Sequence, residues 1–208
     1  RGAFREAVEQ WRSASCVDFV EEAGLPPPPA LQVGNYDEGT CYASDIGFPG
    51  DRSYQLVNLG WCSSARYVGS IVHELGHVLG MNHEQKRPDA IKEYHGHGPF
   101  LVVHWDHVPQ EWQDQYHEDP GSYVGSAHDG AGDPYEGYAP YDFESIMHYP
   151  ASEHFDTLPA EARELTGNRR QLSSGDISQI RDMYQCKGSA QDPVADDART
   201  EVVAEAEE

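Results

Sequence analysis

Long apolar runs are missing from this 208-residue chain, so nothing in it is long enough to cross a bilayer as a helix and no membrane span is expected. Cations are scarce as well: 14 Lys and Arg stand against 36 Asp and Glu, a formal net charge of −22. A surface of that sign repels polyanions, and no basic patch interrupts it, so a nucleic-acid partner is excluded. Cysteine is limited to four, and none forms a C-x-x-C pair, which argues against a thiolate metal cluster. As disulfides the four allow three pairings and imply an oxidising compartment. No apolar leader opens the sequence, which is therefore expected to be an excised domain or a precursor without its front.

What is present is concentrated between His73 and His83, in the run His73-Glu74-Leu75-Gly76-His77-Val78-Leu79-Gly80-Met81-Asn82-His83. On an α-helix His73 and His77 lie one turn apart, about 6 Å along the axis, and face the same side. Glu74 is rotated about 100° from His73 and can reach a water held between them without becoming a ligand. Ile71, Val72, Leu75, Val78 and Leu79 recur at helical steps and supply a stripe that seats the helix on a core. Gly80 then lets the chain leave the helix and turn His83 back toward the same point. Three imidazoles leave one coordination position open, the signature of catalytic and not structural zinc. A bare H-E-x-x-H arises by chance in many helices, but the glycine and third histidine make coincidence a poor account.

A second element, Ser145-Ile146-Met147-His148-Tyr149-Pro150, follows Pro140-Tyr141-Asp142-Phe143-Glu144. Together with the continuation Glu84-Gln85-Lys86-Arg87-Pro88-Asp89, it resembles the catalytic domain of the astacin metallopeptidases, within the metzincin class. The resemblance covers Arg1 to about Cys186 and implies an α+β, two-lobed fold. A twisted sheet and the active-site helix fill the N-terminal lobe, and a helix closes a mostly irregular C-terminal lobe. It implies one Zn2+ per chain bound by His73, His77 and His83, with Glu74 as general base, Met147 beneath the metal, and Tyr149 as a resting ligand that later stabilises the oxyanion. His148 has no carried-over role and is read as structural. By the same likeness Cys41 pairs with Cys62 and Cys16 with Cys186, and residues 1–187 form the peptidase domain. The strand that precedes the first helix in the family, and the mature N-terminus that resembles a partner for Glu84, are not found, so Glu84 is expected to pair with a nearby base or to be exposed.

Phe4, Ala7, Val8 and Trp11 share a helical face, which predicts an amphipathic helix over residues 2–14. Short strands are expected at Cys16–Val20, Leu31–Val33 and Tyr54–Leu59. The resemblance makes the last a cleft edge, where an extended peptide substrate adds a strand. From His83 to Ser173 no regular pattern is found. Ser173 and Asp176 then resemble a capping box, ahead of an apolar face of Ile177, Ile180, Met183 and Tyr184. Residues 188–208 are acidic and almost devoid of aromatics, as in a disordered tail or linker.

Other features take a plainer reading. His95-Gly96-His97 is a solvated loop before it is a second metal site. Asp129, Asp133 and Glu136 lack the spacing of a calcium loop. Arg169 and Arg170 either favour an acidic residue after the scissile bond or are exposed charges. The expected function is a secreted zinc-dependent endopeptidase acting on proteins or peptides. The alternative is a catalytically silent zinc-containing adhesion or matrix-binding module, against which the intact Glu74 and Tyr149 weigh.

Overall fold

A computed structural model describes residues 1–24, 26–50, 53–125 and 138–186 of the chain. The acidic stretch 188–208 and the trio Asp129, Asp133 and Glu136 fall outside them. Helix α1 (Gly2–Ala14) forms as its spacing predicts, burying Ala3, Ala7, Val8 and Trp11. Its burial is directed at helix α2 (Val68–Val78), where the Trp11 indole N–H donates to the carbonyl of Val72 at 3.0 Å. Truncating such a buried Trp to alanine costs about 3 to 5 kcal/mol.

Three strands cover the same core: β1 (Ala30–Gly34), β2 (Tyr42–Ala43) and β3 (Tyr54–Asn58). Their order is β1-β3-β2, with β1 parallel and β2 antiparallel to β3. The expected cleft-edge strand at Tyr54–Leu59 is therefore the centre of its sheet, and β2 is an edge. Backbone pairing explains the change: Tyr54–Asn58 is bonded to β1 along one edge and to β2 along the other, which leaves it no free edge between them. The Asn58 amide donates to the carbonyls of Asp37 and Thr40 and accepts from the backbone of Tyr36 and Asp37, folding the β1–β2 connection over it.

Cys16–Val20 is not a strand. Val17 and Phe19 do face the core in alternation, but no strand among the described residues pairs with them, and the Phe19 carbonyl accepts from the Arg12 guanidinium at 2.6 Å instead. Conversely, the stretch expected to be irregular contains a second, two-stranded sheet of β4 (Leu101–Val103) and β5 (Phe155–Thr157), antiparallel, whose buried Leu101 and Phe155 join Ala90, Val108, Tyr116 and Tyr141 in a second core. The last helix, α3 (Ser174–Met183), carries the full capping box between Ser173 and Asp176. Disulfides join Cys16 to Cys186 and Cys41 to Cys62, the pairing that the resemblance implies.

Candidate metal centre

Helix α2 ends in a Schellman-type turn: Gly80 N–H donates to His77 O and Met81 N–H to Gly76 O, both at 2.9 Å. The turn requires Gly80 at φ +98°, a conformation that a side chain resists, and it brings His83 back beside His77. The Nε2 atom of His83 lies 3.1 Å from that of His77 and 3.3 Å from that of His73. Two nitrogens sharing one tetrahedral zinc at about 2.1 Å each sit about 3.4 Å apart, so the spacing fits. These three are, among the described residues, the one group of His, Cys, Asp or Glu placed to hold a metal ion.

Proton placement agrees. The Nδ1 atoms of His73 and His77 face the carbonyls of Ile146 and Met81 at 2.8 and 2.9 Å. A carbonyl only accepts, so Nδ1 carries the hydrogen in both rings and Nε2 keeps a free lone pair. Burial, the largest cause, holds His77 down to about 4 and depresses His73 and His83 well below the ordinary imidazole value. Neutral imidazoles with converging lone pairs are what a dication binds and what nothing else here would stabilise.

Met147 sulfur packs against helix α2, so close to Gly76 that a Cβ there would come within 2.5 Å of it. That turn is anchored from α3: Asp176 accepts from Ser145 Oγ at 2.6 Å and from Ile146 N at 2.8 Å, while also capping its own helix at Ser173 N. Met147 belongs to the first core and Tyr149 packs on the second, so the turn spans both.

Glu74, on the same helix as His73 and His77, is buried, with Oε2 accepting from Ala43 N at 2.9 Å. Burial raises its carboxyl to about 7, with Ala43 N–H and Arg169 partly offsetting the rise. Since Ser44 N–H points into the sheet toward Leu56 O, the Ala43 N–H points out of it, and the outer edge of β2 therefore faces Glu74. Tyr149 lies with its ring centroid 4.5 Å from that of His83, and burial raises its phenol to about 12.

The remaining residues singled out in the sequence divide. His148 is fully buried and structural as read: Nδ1 donates to Tyr149 O at 2.7 Å, Nε2 accepts from Tyr141 OH at 3.0 Å, and burial lowers it to about 4. Glu84 is buried and pairs with Arg87 at 3.2 Å, beside a cavity of about 280 Å³ that Asp142 and Asp176 also line. Burial raises Glu84 to about 7. Arg169 is not an exposed charge, because its guanidinium donates to the carbonyls of Ile146 and His148 at 2.8 and 3.1 Å; Arg170 is exposed. His95 and His97 join no metal group among the described residues. Sequence reasoning missed the Ala43 N–H, Gln85 and Gln115, since an amide group at arbitrary spacing carries no chemical signature until the fold places it.

Set against known proteins, residues 1–185 match the profile of the astacin peptidase family. Tolloid-like protein 1 of Homo sapiens is 31% identical over 196 residues, spanning 89% of this chain and 17% of that protein. Zinc metalloproteinase dpy-31 of Teladorsagia circumcincta is 30% identical over 187 residues, 86% of this chain and 27% of that protein. The chain thus spans under a third of the length of these relatives. In fold it is similar to high choriolytic enzyme 1, a hatching enzyme zinc-protease from Oryzias latipes, with a TM-score of 0.67 at 22% identity over 89% of this chain and 82% of that one.

Proposed function

The chain belongs to the astacin family of peptidases, and from that premise we propose that it is a zinc-dependent endopeptidase domain cleaving peptide bonds in proteins or peptides. The observation that carries this reading is the convergence of the Nε2 atoms of His73, His77 and His83, with the buried carboxyl of Glu74 on the same helix as two of them. One zinc ion held there supplies Lewis acidity toward a scissile carbonyl and lowers the pKa of water. Glu74 takes one proton from the attacking water as its oxygen joins the carbonyl carbon. The same carboxyl returns that proton to the amide nitrogen as the C–N bond breaks. Burial opposes the charged form of the Glu74 carboxyl, which favours its taking up a proton. Tyr149 donates a hydrogen bond to the oxyanion, a contact made in the transition state.

An extended substrate fits along the outer edge of β2, next to Glu74, where backbone groups recognise a peptide irrespective of its side chains. Two disulfides support a secreted, oxidised setting, and no helix among the described residues is long and apolar enough to cross a membrane. The test is cleavage of a quenched peptide library by the oxidised, zinc-loaded protein, with Glu74→Gln and a chelator run in parallel. Turnover lost in both controls is the expected result. A folded, zinc-loaded but inert wild-type protein would instead mark a silent adhesion or matrix-binding module.

A further inference from the structure

Tyr149 is gripped at both ends by two glutamines that the reaction itself does not call for. Gln85, fully buried, accepts from the Tyr149 backbone N–H at 3.2 Å through Oε1 and donates to the Gln115 carbonyl at 3.3 Å through Nε2. Gln115, the last residue of the 3-10 turn Gln110–Gln115, accepts the phenolic hydrogen of Tyr149 at 3.1 Å through Oε1. The ring between these anchors is confined by the His83 imidazole at 4.5 Å and by the edge of Tyr116 at 6.0 Å. One buried amide therefore fixes both the backbone of Tyr149 and the residue that receives its hydroxyl.

We propose that Gln115 is a positioning residue for Tyr149, holding the phenol beside the metal site in the orientation from which it can turn its proton to the oxyanion. The inference rests on the reading of Tyr149 as oxyanion donor. A phenol has one hydrogen and a free C–O torsion, and a single acceptor fixes that torsion. An amide oxygen suits the task, because it accepts a hydrogen bond without the basicity to remove the proton that the transition state requires. The cost of reorienting the hydroxyl is that of exchanging one neutral hydrogen bond for a charge-assisted one, which favours the oxyanion once it forms.

The test is a double-mutant cycle of Gln115→Met, which keeps side-chain volume but removes the acceptor, and Tyr149→Phe, in the zinc-loaded protein. Three quantities are read: kcat and KM on a quenched peptide, calorimetric affinity for a phosphinic peptide whose tetrahedral phosphorus imitates the hydrated amide, and zinc affinity by chelator competition. Gln115→Met is expected to lower kcat and phosphinate affinity about tenfold, the scale of one ordered hydrogen bond, with KM and zinc affinity unchanged. In the Tyr149→Phe background the same substitution is expected to change kcat by less than about twofold. Equal losses in both backgrounds, or a loss of zinc affinity, would overturn the proposal by assigning Gln115 to the fold or to His83. No loss in the single variant would overturn it too, while a Tyr149→Phe protein with normal kcat would remove the reading of Tyr149 on which it depends.

Discussion

Replacing Arg87 with methionine removes the cation from a buried cluster of charges that follows the third histidine along the chain. All five N–H groups of Arg87 have acceptors: Asp89 takes Nε and one Nη2 hydrogen at 2.9 and 2.7 Å, Ala139 O takes the other at 2.7 Å, and Glu84 and Pro140 O share Nη1 at 3.2 Å each. The rings of Tyr138 and Tyr141 lie 5.6 and 5.4 Å from the guanidinium carbon. Glu84 and Asp89 are 4% and 0% exposed, so removing Arg87 strands two carboxylates away from water. Breaking a buried pair in this manner costs about 3 to 5 kcal/mol, and Arg87→Met is expected to lose that much in urea unfolding of the zinc-saturated protein. Arg87→Lys should recover less than half, since a point charge with three donors cannot serve five acceptors. The loss should also depend on pH with a definite sign. Glu84 is already raised to about 7 by burial, with Arg87 as the main opposing influence, so its folded form holds a proton that the unfolded chain has released. Without Arg87 its carboxyl rises further, and a raised carboxyl gives stability below its unfolded value that is lost as pH rises through the folded one. The variant should accordingly lie nearer wild type at pH 5 than at pH 8. A deficit under about 1 kcal/mol, or one that grows toward acid, would refute the reasoning.

Glu74→Gln keeps the packing of the carboxylate but cannot shuttle a proton, so it should retain one zinc per chain by elemental analysis while kcat falls about 10²- to 10⁴-fold. Replacing Cys16 and Cys186 together by serine opens a closure of 170 positions, for which chain entropy gives about 5 kcal/mol; denaturant titration should show most of it, and a change near zero would refute the chain-entropy account of this bond. His148 is lowered by burial to about 4 against an unfolded value near 6.5, so its contribution is complete above 6.5 and declines as pH falls toward 4, by about 3 kcal/mol in all. His148→Gln should flatten that part of the stability profile between pH 6.5 and 4, and an unchanged slope would sink the assignment.

The three-histidine group was legible because it rests on a short run of residues at helical spacing, closed by a glycine whose positive φ turns the third histidine back beside the other two. The capping box at Ser173 and Asp176 was legible for the same reason. Strand order was not, since the alternation at Tyr54–Asn58 reports which side chains face the core but not how many neighbours the backbone has. At Cys16–Val20 the same alternation is present without any ladder. The β4–β5 pair joins segments about fifty residues apart and leaves no local mark. Gln85 and Gln115 reach Tyr149 by hydrogen bonds across 64 and 34 positions, which no pattern within a window can reveal.

The bond between Cys16 and Cys186 makes a covalent ring of nearly everything the structure describes, with α1 joined to the end of α3. A single cut in any exposed loop of that ring leaves both pieces tethered and the three histidines within reach of each other. Nicked and intact molecules would then migrate as one band without reductant and as separate bands with it.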